Sequence, residues 1–266
     1  MKNLINKVVW VTGASSGIGE ALVYALCREG VKMIVSSRRE NELMRVKKNC
    51  PHEIQSFIEV LPLDLANSTE LDEKVKEAVA FFGKVDILIN NGGVSQRSLV
   101  KETMLSVDRK IMEINFFGTI ALSKHLLPHM IENKGGHFVN VSSLVGKFGT
   151  PYRSGYAASK HALHGFYDSL RAELWKENIK VIMICPGYIK TQVSVNALTG
   201  TGENFNQMDK AQASGMEAAV CAQKIIRAIK KEKEEVYIGG IEKYGVYLKR
   251  FFPAVFSKIV RKVPVR

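Results

Sequence analysis

Short runs of β-branched and apolar residues recur along this chain, each followed by a longer amphipathic stretch. VVWV precedes a helical pattern from about Gly17, MIVSS one from Glu40, and FIEVLPL one after Ser68. VDILIN precedes two helical stretches and HFVNVSS one more, while IKVIMIC and VYIGG complete the strand-like series. Strands that read as continuous apolar segments are covered on both faces, and helical crossovers between them make them parallel. The pattern predicts an α/β fold, a doubly wound parallel β-sheet flanked by helices on both faces. With 266 residues and no compositional break, one domain is the simplest organisation. It would occupy residues 1–240, including an aperiodic loop at about 186–213, with a basic amphipathic extension over 241–266.

The segment Thr12-Gly13-Ala14-Ser15-Ser16-Gly17-Ile18-Gly19 joins the first strand-like run to the first helical one. Glycines at such a turn let the backbone approach a pyrophosphate, and the helix start offers unpaired N–H groups and the positive end of its dipole. A dinucleotide fits there, although a tight strand-to-helix connection would also use glycine. The second run ends Val35-Ser36-Ser37-Arg38-Arg39. A free ribose 2′-hydroxyl favours an acidic residue at this point, whereas a guanidinium grips a 2′-phosphate through two charge-assisted hydrogen bonds. NADP is expected over NAD, unless the arginine pair only caps a surface turn.

Tyr156 and Lys160 lie four residues apart near the start of a helical stretch and share one face. A phenol with its ordinary pKa of about 10 exchanges protons poorly near neutrality, and an ammonium one turn away is expected to lower it. Ser143 closes HFVNVSS thirteen residues before Tyr156, at the expected carboxyl edge of the sheet, where its hydroxyl can polarise a carbonyl. Asn115 stands in an otherwise apolar helical segment. Its amide must be hydrogen-bonded, as structural glue, as the anchor of a water relay, or as both.

In order and spacing, TGASSGIG, NNGG at 90–93, Asn115, Ser143, Tyr156, Lys160 and PGYIKT at 186–191 resemble the short-chain dehydrogenase/reductase superfamily over about residues 5–240. NNGGVSQRSL, LPHMIE, GYAASKHALHGFYDSLRAEL and PGYIKTQVSVNALTGTG further resemble its member 7 and 7B branch. The resemblance implies a Rossmann fold and an oxidoreductase that uses NADP to interconvert a carbonyl and an alcohol. Gly13, Ser15, Gly17, Ile18 and Gly19 would hold the pyrophosphate with Ser16 among them, Arg38 the 2′-phosphate with help from Arg39, and Asp64 and Leu65 the adenine. Asn91 and Gly92 would line the cofactor, and Pro186, Gly187, Ile189 and Thr191 its nicotinamide end. Tyr156 would exchange the substrate proton, Lys160 would also bind the nicotinamide ribose, Ser143 would orient the carbonyl and Asn115 would support the relay. Two positions depart from the usual pattern: Gly92 replaces an alanine, and Ser16 stands where many NADP-dependent members carry a basic residue. Arg38 is left as the main expected determinant of cofactor choice.

Composition narrows the remaining classes. Hydrophobic residues at 46% and charged residues at 24% support a sizeable core and argue against disorder. Cys27, Cys50, Cys185 and Cys221 have no CxxC spacing, so free buried thiols in a reducing compartment such as the cytoplasm are expected. The first apolar run is too short for a secretory signal or a membrane span. Much of the net charge of +12 sits in LKRFFPAVFSKIVRKVPVR rather than along a stripe with interleaved aromatics, so no nucleic-acid partner is expected. The tail from Lys243 to Arg266 suits an anionic membrane surface, through Phe251, Phe252, Val255, Phe256, Ile259 and Val260 beside Lys249, Arg250, Lys258, Arg261 and Lys262. It can equally pack on the body or on a second subunit.

The stripe Leu163, Phe166, Leu170 and Leu174 would form core or the dimer face of a homodimer or homotetramer. Trp10 and Trp175 read as core or interface aromatics. His161 and His164 read as surface or packing residues, and no metal is expected. The substrate is expected to be a small carbonyl or alcohol compound, moderately apolar because Val193, Val195, Leu198, Phe205 and Met208 stud the long loop. NADPH-dependent carbonyl reduction is the leading expectation, and a catalytically idle NADP-binding scaffold or redox sensor the alternative.

Overall fold

The computed structural model describes residues 3–262, so the last four residues of the C-terminal extension lie outside the described part. The chain opens with β1 (Val8–Thr12), α1 (Gly17–Leu26), β2 (Lys32–Ser36), α2 (Glu40–Lys48) and β3 (Ile58–Val60). It continues through α3 (Leu71–Phe82), β4 (Ile87–Asn90), α4 (Leu105–Met112) and, after a π-helical turn at Glu113–Phe117, α5 (Gly118–Glu132). β5 (Gly136–Val141), α6 (Ser154–Glu173), β6 (Ile179–Pro186), α7 (Ala218–Lys230) and β7 (Glu235–Ile238) complete the sheet and its covering layers. α8 (Gly245–Phe251) and α9 (Pro253–Val260) follow.

The seven strands are all parallel, in the order β3-β2-β1-β4-β5-β6-β7. Alternate residues of each strand serve opposite layers, which is why the strands read as unbroken apolar runs. Val9 and Val11 pack with α1, α2 and α7, whereas Val8 and Trp10 pack with α3, α5 and α6. The order reverses between β1 and β4, and a crevice opens at the carboxyl ends of those strands, where ligands bind in sheets of this kind.

α6 carries Tyr156 and Lys160 and is pinned at two places. Leu163, Tyr167 and Leu170, at helical spacing, enter the core, and the Tyr167 hydroxyl joins Ser123 (2.6 Å) and the Asn90 amide (3.1 Å) in a buried network. At its start, backbone N–H groups of Gly155 (2.7 Å) and Tyr156 (3.2 Å) donate to the Oε1 of Gln96, a residue from a distant loop. Donors that a local cap would otherwise take are thus satisfied by tertiary structure.

The long loop is ordered by contacts that no local periodicity could signal. Ile189–Lys190 pairs in parallel with Met216–Glu217, and Leu198 exchanges backbone hydrogen bonds with Ser95 (2.9 Å) and Arg97 (2.8 Å). The C-terminal extension packs on the body by one face: Phe256 is buried, 5.0 Å from the Phe148 ring, and Val260 packs against the same cluster. Phe251, Phe252, Val255 and Ile259 remain exposed. Trp10 is a core residue with its indole N–H on Ser36 Oγ (2.8 Å), whereas Trp175 is exposed. Among the described residues, no helix is long and apolar enough to cross a membrane.

Candidate active site

A cleft of about 1220 Å³ runs from the end of β2, across the β1–β4 crevice, to the loop after β6. Gly13, Ser15, Ser16, Gly17 and Ile18 form its floor, Arg38, Arg39, Asp64 and Leu65 one end, and Asn91 and Gly92 the middle. Pro186, Gly187, Ile189 and Thr191 approach from the opposite side. Gly13 has φ +64°, and a Cβ there would fall 2.8 Å from the Gly92 Cα; Gly17 has φ +59°, with Thr191 Cγ2 only 3.1 Å from its virtual Cβ. Glycine is required at both positions on conformational and steric grounds. The Ser16 side chain makes no capping bond to α1, whose first N–H groups face the cleft.

Gly19 is placed differently from the expectation, since it does not line the cleft. A Cβ there would sit 2.1 Å from the Gly13 carbonyl oxygen, so this glycine lets α1 pack onto the turn. Asn91 ties the turn to β4: its Nδ2 donates to the carbonyls of Thr12 (3.1 Å) and Gly13 (3.2 Å), while Thr12 Oγ1 accepts from the N–H groups of Asn91 and Gly92, both at 3.0 Å. A Cβ at Gly92 would meet the tip of the Leu65 side chain, Cδ1, at 2.8 Å, so the alanine usual at this point needs only a side-chain shift.

Arg38 and Arg39 are exposed at the cleft mouth, and among the described residues neither has a carboxylate partner. Arg39, not Arg38, reaches the glycine turn, its Nη2 lying 3.4 Å from Ser15 Oγ. Nearby Arg45 is neutralised by Glu20 and Glu42, each at 2.8 Å. The cleft thus has a glycine-lined turn at a helix start and, at the β2 end, two guanidinium groups without carboxylate partners among the described residues, a set that fits a dinucleotide.

Tyr156, Lys160 and Ser143 meet on the wall of the same cleft. Lys160 Nζ lies 5.7 Å from the Tyr156 ring centroid and donates to the Val141 carbonyl at 2.8 Å. Burial pushes this amine down to about 8. Burial also pushes the Tyr156 phenol up, opposed first by the Arg153 charge, then by its hydrogen-bonding contact with Ser143, then by the Arg97 charge. In the ligand-free chain the Lys160 amine is turned toward the Val141 carbonyl, and the charges that act on the phenol are those of Arg153 and Arg97. Ser143 is held by Val145 N–H, which donates to its Oγ at 3.3 Å, and by its own bond to the Pro186 carbonyl at 3.3 Å.

Asn115 is fully buried behind this wall and does not line the cleft. Its Oδ1 accepts from Val94 N–H (2.8 Å), and its Nδ2 donates to the Val94 carbonyl (2.9 Å) and Ser159 Oγ (3.0 Å). These bonds are the structural glue expected of it, and they sit in the π-helical turn, a feature common at functional sites. His164 is buried, and the fold brings Cys185 and Glu235 to it, with ligand-type atoms all within 4.8 Å. Lys147 pairs with Glu235 at 2.7 Å and Ser142 Oγ bonds His164 Nε2 at 3.1 Å, so both residues already have partners within the protein.

Residues 7–201 match the short chain dehydrogenase family. The chain belongs to the short-chain dehydrogenase/reductase family. It is 43% identical, over 98% of its length and 84% of the relative's, to a dehydrogenase/reductase SDR family protein 7-like of Anopheles gambiae. It is 41% identical to the mouse dehydrogenase/reductase SDR family member 7B, over 97% of this chain and 81% of that one. The crystal structure of a short-chain dehydrogenase from Streptomyces avermitilis superposes with a TM-score of 0.80 at 28% identity, covering 96% and 95% of the two chains. This short-chain dehydrogenase/reductase is accordingly an oxidoreductase with an NAD(P)-binding fold.

Further residues shape the site of this family member from outside its sequence motifs. Gln96 orients the start of α6 from 60 residues away, and Arg97 pairs with Asp209 across 112 residues. Arg153 immediately precedes the Ser154-Gly155-Tyr156 start of α6, and that adjacency was the one local signal available. The apolar lining also comes from elsewhere: the long loop contributes Val193 and Leu198, but Val195, Phe205 and Met208 do not line the cleft. Tyr244, Leu248, Phe252, Phe256 and Ile259 of the C-terminal extension do.

Proposed function

We propose that this protein is an NADP(H)-dependent carbonyl reductase acting on a moderately apolar ketone or aldehyde. The observation that carries the reading is the convergence of Ser143, Tyr156 and Lys160 on the cleft that also holds the glycine cradle and the unneutralised Arg38 and Arg39. A nicotinamide bound at the Pro186–Thr191 end would supply hydride chemistry. The Ser143 hydroxyl donates to the carbonyl oxygen, the Tyr156 phenol passes its proton to that oxygen, and Lys160 holds the ribose side of the site. Asn115 fixes the Val94 backbone beside them and anchors the proton relay. Positioned proton transfer of this kind contributes roughly 10²- to 10⁴-fold to rate.

The apolar cleft mouth supports the substrate class. Its exposed rim of Phe251, Phe252 and Ile259 stands beside Lys249, Arg250 and Arg261, an arrangement suited to an anionic lipid surface from which an apolar substrate would enter. Four buried free thiols support a reducing compartment such as the cytoplasm. A homodimer or homotetramer is part of the same proposal.

An activity panel of ketones, aldehydes and alcohols, run in parallel with NADPH and NADH, tests the reading. Turnover that prefers NADPH, and loses that preference when Arg38 and Arg39 are both replaced by alanine, is expected. Tight NADPH binding with no turnover of any compound would favour the idle scaffold instead.

A further inference from the structure

The substrate end of the cleft holds more positive charge than the surrounding chain neutralises. Arg97, Arg153 and Asp209 are buried there, with exposures of 2%, 8% and 3%. Arg97 spends its donors within the protein: Nε bonds Asp209 Oδ2 at 2.7 Å and Nη2 bonds the same oxygen, while Nη1 bonds Ser95 Oγ (3.0 Å) and the Gln96 carbonyl (2.6 Å). Arg153 has only a longer approach, Nη2 to Asp209 Oδ2 at 3.5 Å, and its buried Nε has no partner among the described residues. Its guanidinium carbon stands 5.7 Å above the Tyr188 ring, which covers one of its faces. Asp209 Oδ1 is also without a partner, so the carboxylate is committed to Arg97 through a single oxygen.

Two guanidinium groups thus share one carboxylate. A buried cation lacking a full counter-charge is costly, and proteins retain one where a ligand supplies the missing anion. Arg153 lines the cleft one helical turn before Tyr156, within a short spacer of the carbonyl that the phenol would serve. A planar guanidinium presents paired N–H donors that match the oxygens of a carboxylate or phosphate.

Resting on the carbonyl-reductase reading, we propose that Arg153 anchors an anionic oxygen group, a carboxylate or a phosphate, carried by the carbonyl substrate. The substrate is then amphiphilic, with its charged end near Arg153 and its apolar body along Tyr244, Leu248 and Phe252.

The test compares matched ketones on the whole protein: 3-benzoylpropionate against its methyl ester, and phenacyl phosphate against phenacyl alcohol. Charge-assisted hydrogen bonding should favour the anion of at least one pair by roughly 10- to 100-fold in kcat/KM. The pair with the larger ratio identifies the source of the anion. In Arg153→Met that ratio falls toward one, and Arg153→Lys restores part of it. A second readout is independent of turnover. Arg153→Met leaves Arg97 and Asp209 as a one-to-one pair, so the melting temperature of the ligand-free protein should hold or rise. At least one of 3-benzoylpropionate and phenacyl phosphate should then raise the melting temperature of NADP⁺-loaded wild type but not of the variant. Equal rates within both pairs, or a ratio indifferent to Arg153→Met, overturn the anchor and leave the reductase standing. No turnover of any ketone, with the wild-type-only thermal shift present, removes the reductase and keeps the anchor; no turnover and no shift removes both.

Discussion

Burial holds the Lys160 amine at about 8, against an ordinary 10.5. Between those values the unfolded chain keeps a proton that the folded chain has released, so stability rises with pH across that window. Below it the buried ammonium destabilises the ligand-free fold in full, by about 3 kcal/mol. Lys160→Met should therefore stabilise the ligand-free protein at neutral pH, with a gain that shrinks as pH climbs from about 8 toward 10.5. Denaturant unfolding at a series of pH values checks this, and a gain that does not vary with pH contradicts it. The glycine turn gives a second prediction at this scale. Gly13→Ala places a Cβ against Gly92 backbone at positive φ, whereas Gly92→Ala meets only the end of the Leu65 side chain. NADPH affinity, measured by fluorescence titration, should fall much further in the first variant than in the second. The meeting of Tyr156, Lys160 and Ser143 on one cleft was legible in the sequence because it depends on residue type at a fixed helical or strand-end spacing. Of the charges acting on the phenol, that of Arg97 was not legible, because Arg97 owes its place to Asp209, 112 residues away.

Helix α6 matters as an element because its first turn sets the aim of the phenol. Gln96 accepts from two of its N–H groups and in turn donates to Ser98 Oγ (3.1 Å) and Thr103 Oγ1 (3.2 Å). Gln96→Met removes that acceptor, leaving buried donors unpaired at a cost of about 1–3 kcal/mol. Unfolding measurements should show this loss, and kcat should fall more than NADPH affinity; a variant as stable and active as wild type would show that α6 needs no such cap. The C-terminal pair α8 and α9 is held chiefly by Phe256, so Phe256→Ala should cost about 3 kcal/mol and loosen the cleft wall. Unfolding measurements check the first effect, and a raised KM for apolar ketones the second. The amphipathic character of this extension could be read from sequence, but the choice of Phe256 and Val260 as the packed face depended on where Phe148 lies. The long loop was legible only as aperiodic, since its order comes from backbone bonds between Leu198 and the segment at 95–97 and between Gly200 and Met104.

At the scale of the whole molecule, the parallel sheet and its two helical layers followed from the alternation of apolar runs with amphipathic stretches, and the crevice followed from the strand order. One cleft holds both the glycine turn and the Ser143, Tyr156 and Lys160 cluster, and its mouth is rimmed by the exposed Phe251 and Phe252. If that rim meets lipid, the whole protein should co-sediment with phosphatidylserine vesicles, and Phe251→Ser with Phe252→Ser should release it; equal sedimentation of both proteins would remove the membrane role. The central claim is that a single phenol in this cleft completes carbonyl reduction. Its most direct test is NADPH oxidation by Tyr156→Phe, with a ketone the wild type reduces, alongside NADPH affinity for both proteins. The account predicts a fall in kcat of roughly 10²- to 10⁴-fold with affinity for NADPH within about twofold. Undiminished turnover in the variant would contradict it.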